Sequence, residues 1–311
     1  MQILRLLKKC VNMMFQSQNR IKGFNGGNLK MIALFCMVID HSAVALLLPL
    51  KDITTGLSFA AIGSLYFVLR FIGRISFPIF CYFIVEGYEH THNKLKYAMR
   101  LLLLAFLSEV PFDMVLFHEF IDFRGQNVYW TLLAGLLAVW MIDSVDSLGL
   151  KKCVSNVLKL FLIIGYCYEM QFFFKSDYGA VGVYTIIGIF LTRKKSNILM
   201  VIGYIAALVI SYFDNFNAID LESVMAFSVG VTAVIIVAII PHRLNGKARE
   251  MAEGCMMLSG YSPDEVFSLV DVFLISRYNG EKGRMNKWFF YLFYPVHLLI
   301  LALICMAVKL Y

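Results

Sequence analysis

Charge is what this sequence has least of. Lys and Arg number 28 and Asp and Glu 21 among 311 residues, so only 16% of the chain is charged while 60% is hydrophobic. With a mean hydropathy of +0.73, that balance excludes a soluble domain and reads as a polytopic, all-α transmembrane bundle. No Pro-, Gly- or Ser-rich linker breaks the chain, so one membrane domain is expected over 31–311, preceded by a basic lead-in over 1–30. The lead-in has no unbroken apolar core of the kind a cleaved signal peptide needs. Seven cysteines are scattered without a CxxC pair; they read as small buried hydrophobes rather than a disulfide or metal framework. A Walker loop, a dinucleotide fingerprint and an HExxH helix are all missing, which disfavours an ATP-driven pump or a zinc enzyme. No internal repeat is visible, and that counts against an inverted-repeat transporter.

What is present is a series of long apolar runs. Spans are expected near 31–50, 59–87, 95–117, 128–145, 153–173, 179–193, 195–213, 222–240 and 287–308. With a cytoplasmic N-terminus, 21 of the Lys/Arg fall on the inner side and four on the outer side. That asymmetry predicts nine crossings of the plasma (inner) membrane with the C-terminus outside. It also accounts for the basic balance without any nucleic-acid partner. A cytoplasmic insertion is expected near 241–276, with a short apolar piece that is too short to cross.

Ionisable residues inside the runs point to a site. Asp40 and His41 lie near the middle of the first run, where such groups cost roughly 2.5–3.5 kcal/mol on insertion scales. Arg70 and Arg74 are four apart on one helical face, and Phe77-Pro78 after them is a candidate kink. Glu109 and Asp113 are four apart around Pro111, so a helix stacks two carboxylates on one face. They are placed either to pair with the arginines or to serve a site. His297 lies as deep in the last run as His41 lies in the first, which allows both rings and Arg74 to share one layer. Glu86 and His90 are spaced as a helical pair at a solvated helix end. Gln126-Asn127 and Asp177-Tyr178-Gly179 read as caps and turns where loops enter spans.

These residues sit within seven ordered motifs: IALFCMVIDH, LRFIGRISFPIFCYFIVEGYEHT, RLLLLAFLSEVPFD, QNVYWTLLAGLLA, DYGAVGV, YNGEKG and FYLFYPVHLL. Together, from Ile32 to Leu299, they resemble the TraX family of integral-membrane proteins. That family is named for an enzyme that acetylates the N-terminal amine of pilin subunits, and it is similar to the wider membrane acyltransferases. The resemblance carries Asp40, His41, Arg70, Arg74, Glu86, Glu109, Asp113, Asp177, Tyr294 and His297 as matching positions. The chain departs from the family pattern in its longer basic N-terminus and in the 241–276 stretch.

The resemblance implies an acyltransferase that uses acetyl-CoA, requires no metal, and modifies an amine or hydroxyl of a membrane or cell-surface acceptor. That acceptor would be a pilin-like peptide or a glycan. In such an enzyme neutral His41 is the expected general base. Asp40, its neighbour in sequence, cannot orient its ring, so Glu109 or Asp113 is the expected orienter. Arg74 or His297 is the expected oxyanion stabiliser. Arg70, Glu86, Asp177, Tyr294 and Lys282 are expected to bind substrate or coenzyme, with the coenzyme's phosphates near Lys94–Arg100 and Lys282–Lys287. Direct transfer and an acetyl-His41 intermediate both remain open. On residue types alone, a proton-coupled transporter built on the same Asp/His/Arg/Glu cluster is the competing class. A purely structural membrane protein leaves the central charges unexplained.

Overall fold

A computed structural model describes residues 23–52, 55–169, 175–192, 274–275, 277–284 and 286–308. They fall into two compact units, Met1–Leu29 with Tyr212–Gly283, and Lys30–Ser211 with Arg284–Tyr311. Among the described residues the secondary structure is helical, with isolated parallel bridges at Phe24–Tyr278 and Gln126–Ser176 and no strand.

In the first unit, the segment at 23–27 is clasped to the loop at 277–283. Phe24 donates to the Arg277 carbonyl at 2.8 Å and accepts from the Asn279 amide at 2.9 Å, while Gly26 donates to the Glu281 carbonyl at 2.7 Å. Gly283, at φ +78°, lies so close to Asn25 that a Cβ there would stand 2.7 Å from its Oδ1.

The second unit holds the main helices, the first of them from Lys30 onward. Helix α1 (Gly26–Ser42) runs through a π segment (Ala43–Leu47) into α2 (Leu48–Asp52). Then follow α3 (Gly56–Gly73), α4 (Ser76–His90), α5 (Lys94–Leu116), α6 (Val128–Ser147), α7 (Lys152–Glu169), α8 (Gly179–Thr192) and α9 (Lys287–Ala307). Helix α6 is central, packing against α4, α5, α7 and α8, while α9 lies along α5. Ala134, Ala138 and Ile142 of α6 meet Ala180, Val183 and Ile187 of α8 in one buried cluster. Close approach is essential there, because a Cβ on Gly135 would fall 2.1 Å from the Ile186 methyl.

Among the described residues, three helices are long and apolar enough to cross a membrane: Gly26–Leu50, Val128–Ser147 and Trp288–Ala307. Helices α5 and α8 match the boundaries expected from the sequence, and α7 matches at its start, but α8 is short and α5 carries too many ionisable residues to qualify. Exposed apolar side chains nevertheless run along α5 at Leu95, Met99, Leu103, Phe106 and Val110, and along α7 at Val154, Leu158 and Phe161. Such stripes at helical spacing form patches of the kind that suit a lipid or protein surface rather than water. The runs at 195–213 and 222–240 and nearly all of the 241–276 stretch lie outside the described residues.

The second apolar run departs from expectation. The single span at 59–87 is two helices, broken at Arg74-Ile75, upstream of the expected kink at Pro78. The reason is steric. A proline ring collides with the carbonyl four residues back and cannot donate to it, and for Pro78 that carbonyl belongs to Arg74. Pro78 thus sits in the first turn of α4, where a missing N–H costs nothing.

Candidate functional site

The break brings Arg74 to the end of α3, with its N–H on the Arg70 carbonyl at 3.1 Å. Arg70, one turn earlier, donates to Asp40 Oδ2 at 2.5 Å, with side chains 21% and 11% exposed. The two helices meet here because residue 73 is glycine: a Cβ would stand 2.1–2.4 Å from the Asp40 carboxyl. Arg74 points instead to Tyr178, whose hydroxyl is 3.5 Å from Nη1. The Tyr178 ring stacks on Phe77 with centroids 3.6 Å apart and planes 3° from parallel.

One residue after Asp40, His41 faces α9. Its Nδ1 lies 2.7 Å from Nε2 of His297, and the rings stack with centroids 5.0 Å apart. His297 Nδ1 lies 2.9 Å from the Phe293 carbonyl. A carbonyl only accepts, so His297 carries its proton on Nδ1 and offers Nε2 as a lone pair. His41 must then donate from Nδ1, and its Nε2 lone pair is left for other work. The π segment follows directly, and Cys305 of α9 donates to its Ala45 carbonyl at 3.3 Å.

Beside the dyad is a cavity of about 50 Å³, room for a few water-sized groups. Asp40, His41, Gly73, Val128, Tyr129, Asp177, Tyr178 and Tyr294 contribute to its lining. Asp177 is exposed and Tyr178 half-buried, while Tyr294 is only 3% exposed. Pro295 leaves the Tyr291 carbonyl without its helical donor, and the Tyr129 hydroxyl supplies one at 3.0 Å.

The structure therefore gathers Asp40, His41, Arg70, Arg74, Asp177, Tyr294 and His297, which the sequence put forward. Two other expectations are corrected. Glu109 and Asp113 do not orient His41 and do not pair with Arg70 or Arg74. Glu109 accepts from Trp130 Nε1 at 2.8 Å and from the Asn127 amide, and Asp113 accepts from the Asp122 backbone at 2.8 Å. Their shared face looks toward α6 and the loop after α5, which fixes those elements. Second, both nitrogens of His297 are engaged, so it has no donor to offer an oxyanion; it is the group that orients His41. Lys94, in the stretch expected near the coenzyme's phosphates, is bonded to Asp143 and Tyr88, at 2.8 and 2.5 Å. Glu86 is not among the cavity residues; the His90 ring lies 2.9 Å from its carbonyl and 3.7 Å from its carboxylate, as their spacing suggested. Lys282 belongs to the other unit, on an exposed loop.

The cap readings fit. Asn127 caps α6 through Tyr129 N–H at 3.0 Å, and its amide also bonds the Ala105 carbonyl at 2.8 Å. Gln126 exchanges backbone bonds with Lys175 and Asp177, of 3.1 and 2.8 Å, so the loops before α6 and α8 are joined at the cavity mouth. On the same loop, hydrogen bonds from Arg124 hold the Asp122 carboxyl below its ordinary range. Gly73 is a site residue that sequence reasoning did not single out, its only hint being its place between the two arginines, and Tyr178 was named there as part of a turn rather than of the site. Among the described residues, no three His, Cys, Asp or Glu side chains come together to hold a metal ion.

A probable fimbrial assembly protein FimC, serogroup H1, of Dichelobacter nodosus is 34% identical over 152 residues. The match covers 46% of this chain and 56% of the relative, so the chain spans little more than half the length of that protein. No solved structure matches. The TraX protein family matches residues 25–305, and this chain belongs to that family of membrane proteins.

Proposed function

We propose that this protein is a membrane-embedded acyltransferase that moves an acetyl group from acetyl-CoA to an acceptor at the membrane. The observation that carries the reading is the oriented dyad: His41 holds a lone pair on Nε2 beside the cavity, with its tautomer set by His297 and the Phe293 carbonyl. A neutral imidazole fixed in this way is suited to take a proton from an attacking amine or hydroxyl. The relative's name, a fimbrial assembly protein, favours a pilin-like peptide over a glycan as acceptor. The chain crosses the membrane nine times with its N-terminus cytoplasmic, so the coenzyme arrives from the cytosol and the acceptor meets the acyl group within or beyond the bilayer.

Transfer proceeds by attack of the acceptor nitrogen or oxygen on the thioester carbonyl as its proton passes to His41 Nε2. Coenzyme A leaves as a thiolate and takes that proton. Arg70 and Asp40 hold α1 against α3, while Asp177 at the cavity mouth attracts a cationic acceptor group.

The test is transfer of radiolabel from acetyl-CoA into the envelope of cells expressing the wild type or His41→Gln. Label that depends on His41 supports the reading, and the labelled molecule identifies the acceptor. Equal labelling by both proteins refutes the base assignment, and none from either, with both expressed, refutes acetyl-CoA as donor.

A further inference from the structure

The acyl-transfer reading needs a donor for the carbonyl oxygen when it becomes an oxyanion, and the groups expected for it are not placed to serve. His297 uses both ring nitrogens, and Arg74 reaches toward Tyr178 and is not among the residues lining the cavity. On the cavity wall, Tyr294 is the alternative. Its side chain is buried, with 3% of the residue exposed, and its hydroxyl has no hydrogen-bond partner. A buried hydroxyl left unpaired is costly, and such groups in native structures call for an explanation. The ring stands edge-on to His41 at 5.7 Å between centroids. Two other aromatic contacts, with Tyr129 at 5.2 Å and His297 at 5.6 Å, hold it in place.

A second donor lies alongside. Val128 opens α6, a helix of 20 residues, and also lines the cavity. The Asn127 side chain caps the Tyr129 amide and leaves the first N–H of the helix, that of Val128, outside the cap. Val128 and Tyr294 thus stand on the same cavity wall. The positive end of a helix is a natural place for a developing negative charge.

We propose that the Tyr294 hydroxyl and the Val128 backbone N–H form the oxyanion site for the thioester carbonyl. This assignment rests on the acyltransferase reading. The acceptor lone pair forms a bond to the carbonyl carbon, and the carbonyl π pair moves onto oxygen between these two donors. When the intermediate collapses, that pair re-forms the C=O bond and expels coenzyme A thiolate, which takes the proton held by His41. The products are the acetylated acceptor and free coenzyme A.

The experiment compares purified wild type with Tyr294→Phe and Val128→Pro, measuring kcat, KM for acetyl-CoA and thermal unfolding. Proline is tolerated at the first position of a helix and follows an extended residue readily; Asn127 is extended, at φ −65° and ψ 164°. Val128→Pro therefore deletes the N–H and keeps the helix. Tyr294→Phe should lower kcat about 10²–10³-fold with KM little changed. Its melting temperature should be unchanged or higher, because the lost hydroxyl is a buried polar group without a side-chain partner. Val128→Pro should lower kcat in the same way. A rate within threefold of wild type for Tyr294→Phe, or a loss that tracks a lower melting temperature, overturns the assignment. Wild-type protein that transfers nothing from acetyl-CoA defeats the parent reading itself, and this one with it.

Discussion

His41 gives its Nδ1 proton to Nε2 of His297 across 2.7 Å, and His297 gives its own to the Phe293 carbonyl across 2.9 Å. Two imidazoles and a peptide group thus replace the histidine–carboxylate arrangement expected from the sequence. A carbonyl carries no formal charge, so this orienter directs the ring without placing a carboxylate in an apolar layer. The bond geometry makes His297 a positioning residue. His297→Phe should lower kcat about 10–100-fold, the range seen when an orienting partner of a functional histidine is removed, with KM for acetyl-CoA unchanged. The double variant with His41→Gln should be no slower than His41→Gln alone, since the two rings act as a unit. Steady-state kinetics on the four proteins checks this; multiplicative losses would mean that His297 acts independently.

The Asp40–Arg70 pair joins α1 to α3 within the apolar layer. Removing one partner takes away the other's direct ion pair, which in buried pairs costs up to about 3–5 kcal/mol. Arg70→Met should therefore unfold at markedly lower temperature in detergent, and adding Asp40→Leu should restore much of the loss. A double variant as unstable as the sum of the two singles would show that the residues are not coupled.

Gly73 sets the distance between those helices. A methyl group there would occupy the place of the Asp40 carboxyl, at 2.1–2.4 Å, and overpacking of this kind costs about 1–3 kcal/mol. Gly73→Ala should lower both stability and transfer, because displacing Asp40 also moves His41 beside it. Normal activity in a protein of normal melting temperature would contradict the packing.

Asn127 holds the start of α6 through its cap and reaches the Ala105 carbonyl and Glu109. A lost cap costs about 1 kcal/mol and an orphaned buried acceptor about 1–3 more. Asn127→Ala should therefore lose roughly 2–4 kcal/mol, read by chemical or thermal unfolding, and Asn127→Asp should not rescue it, because a carboxylate cannot donate to the carbonyl or to Glu109. Rescue by aspartate would leave the cap as the residue's only contribution.

Depth along a helix was legible in the sequence; direction around it was not. His41 and His297 met because each lies equally far into its run from the same side. Glu109 and Asp113 shared a face as their spacing required, yet that face turned to Trp130, Asn127 and the Asp122 backbone, since packing of α5 on α6 and α9 decides the rotation. Pro78 announced a break, and its clash with the carbonyl four residues back moved that break to Arg74. The Asn127 cap and the Glu86–His90 pair, being local, were read directly. The role of Gly73 depends on a neighbouring helix, so no local pattern could reveal it.

Orientation in the membrane rests on the charge asymmetry, and two exposed positions test it. Phe123 lies in the loop between α5 and α6 and is 84% exposed, and Leu148, just beyond the end of α6, is 63% exposed. About 30 Å of helix separates the two ends of α6, by a rise of 1.5 Å per residue. If α6 runs inward, Phe123 faces outside with the Asp177 loop, to which its own loop is joined through Gln126. In a background lacking the seven native cysteines, a membrane-impermeant maleimide should label Phe123→Cys in intact cells. Leu148→Cys should react only after the membrane is opened. The reverse pattern would put the cavity mouth at the cytosol, and an acceptor beyond the membrane would then have no route to His41.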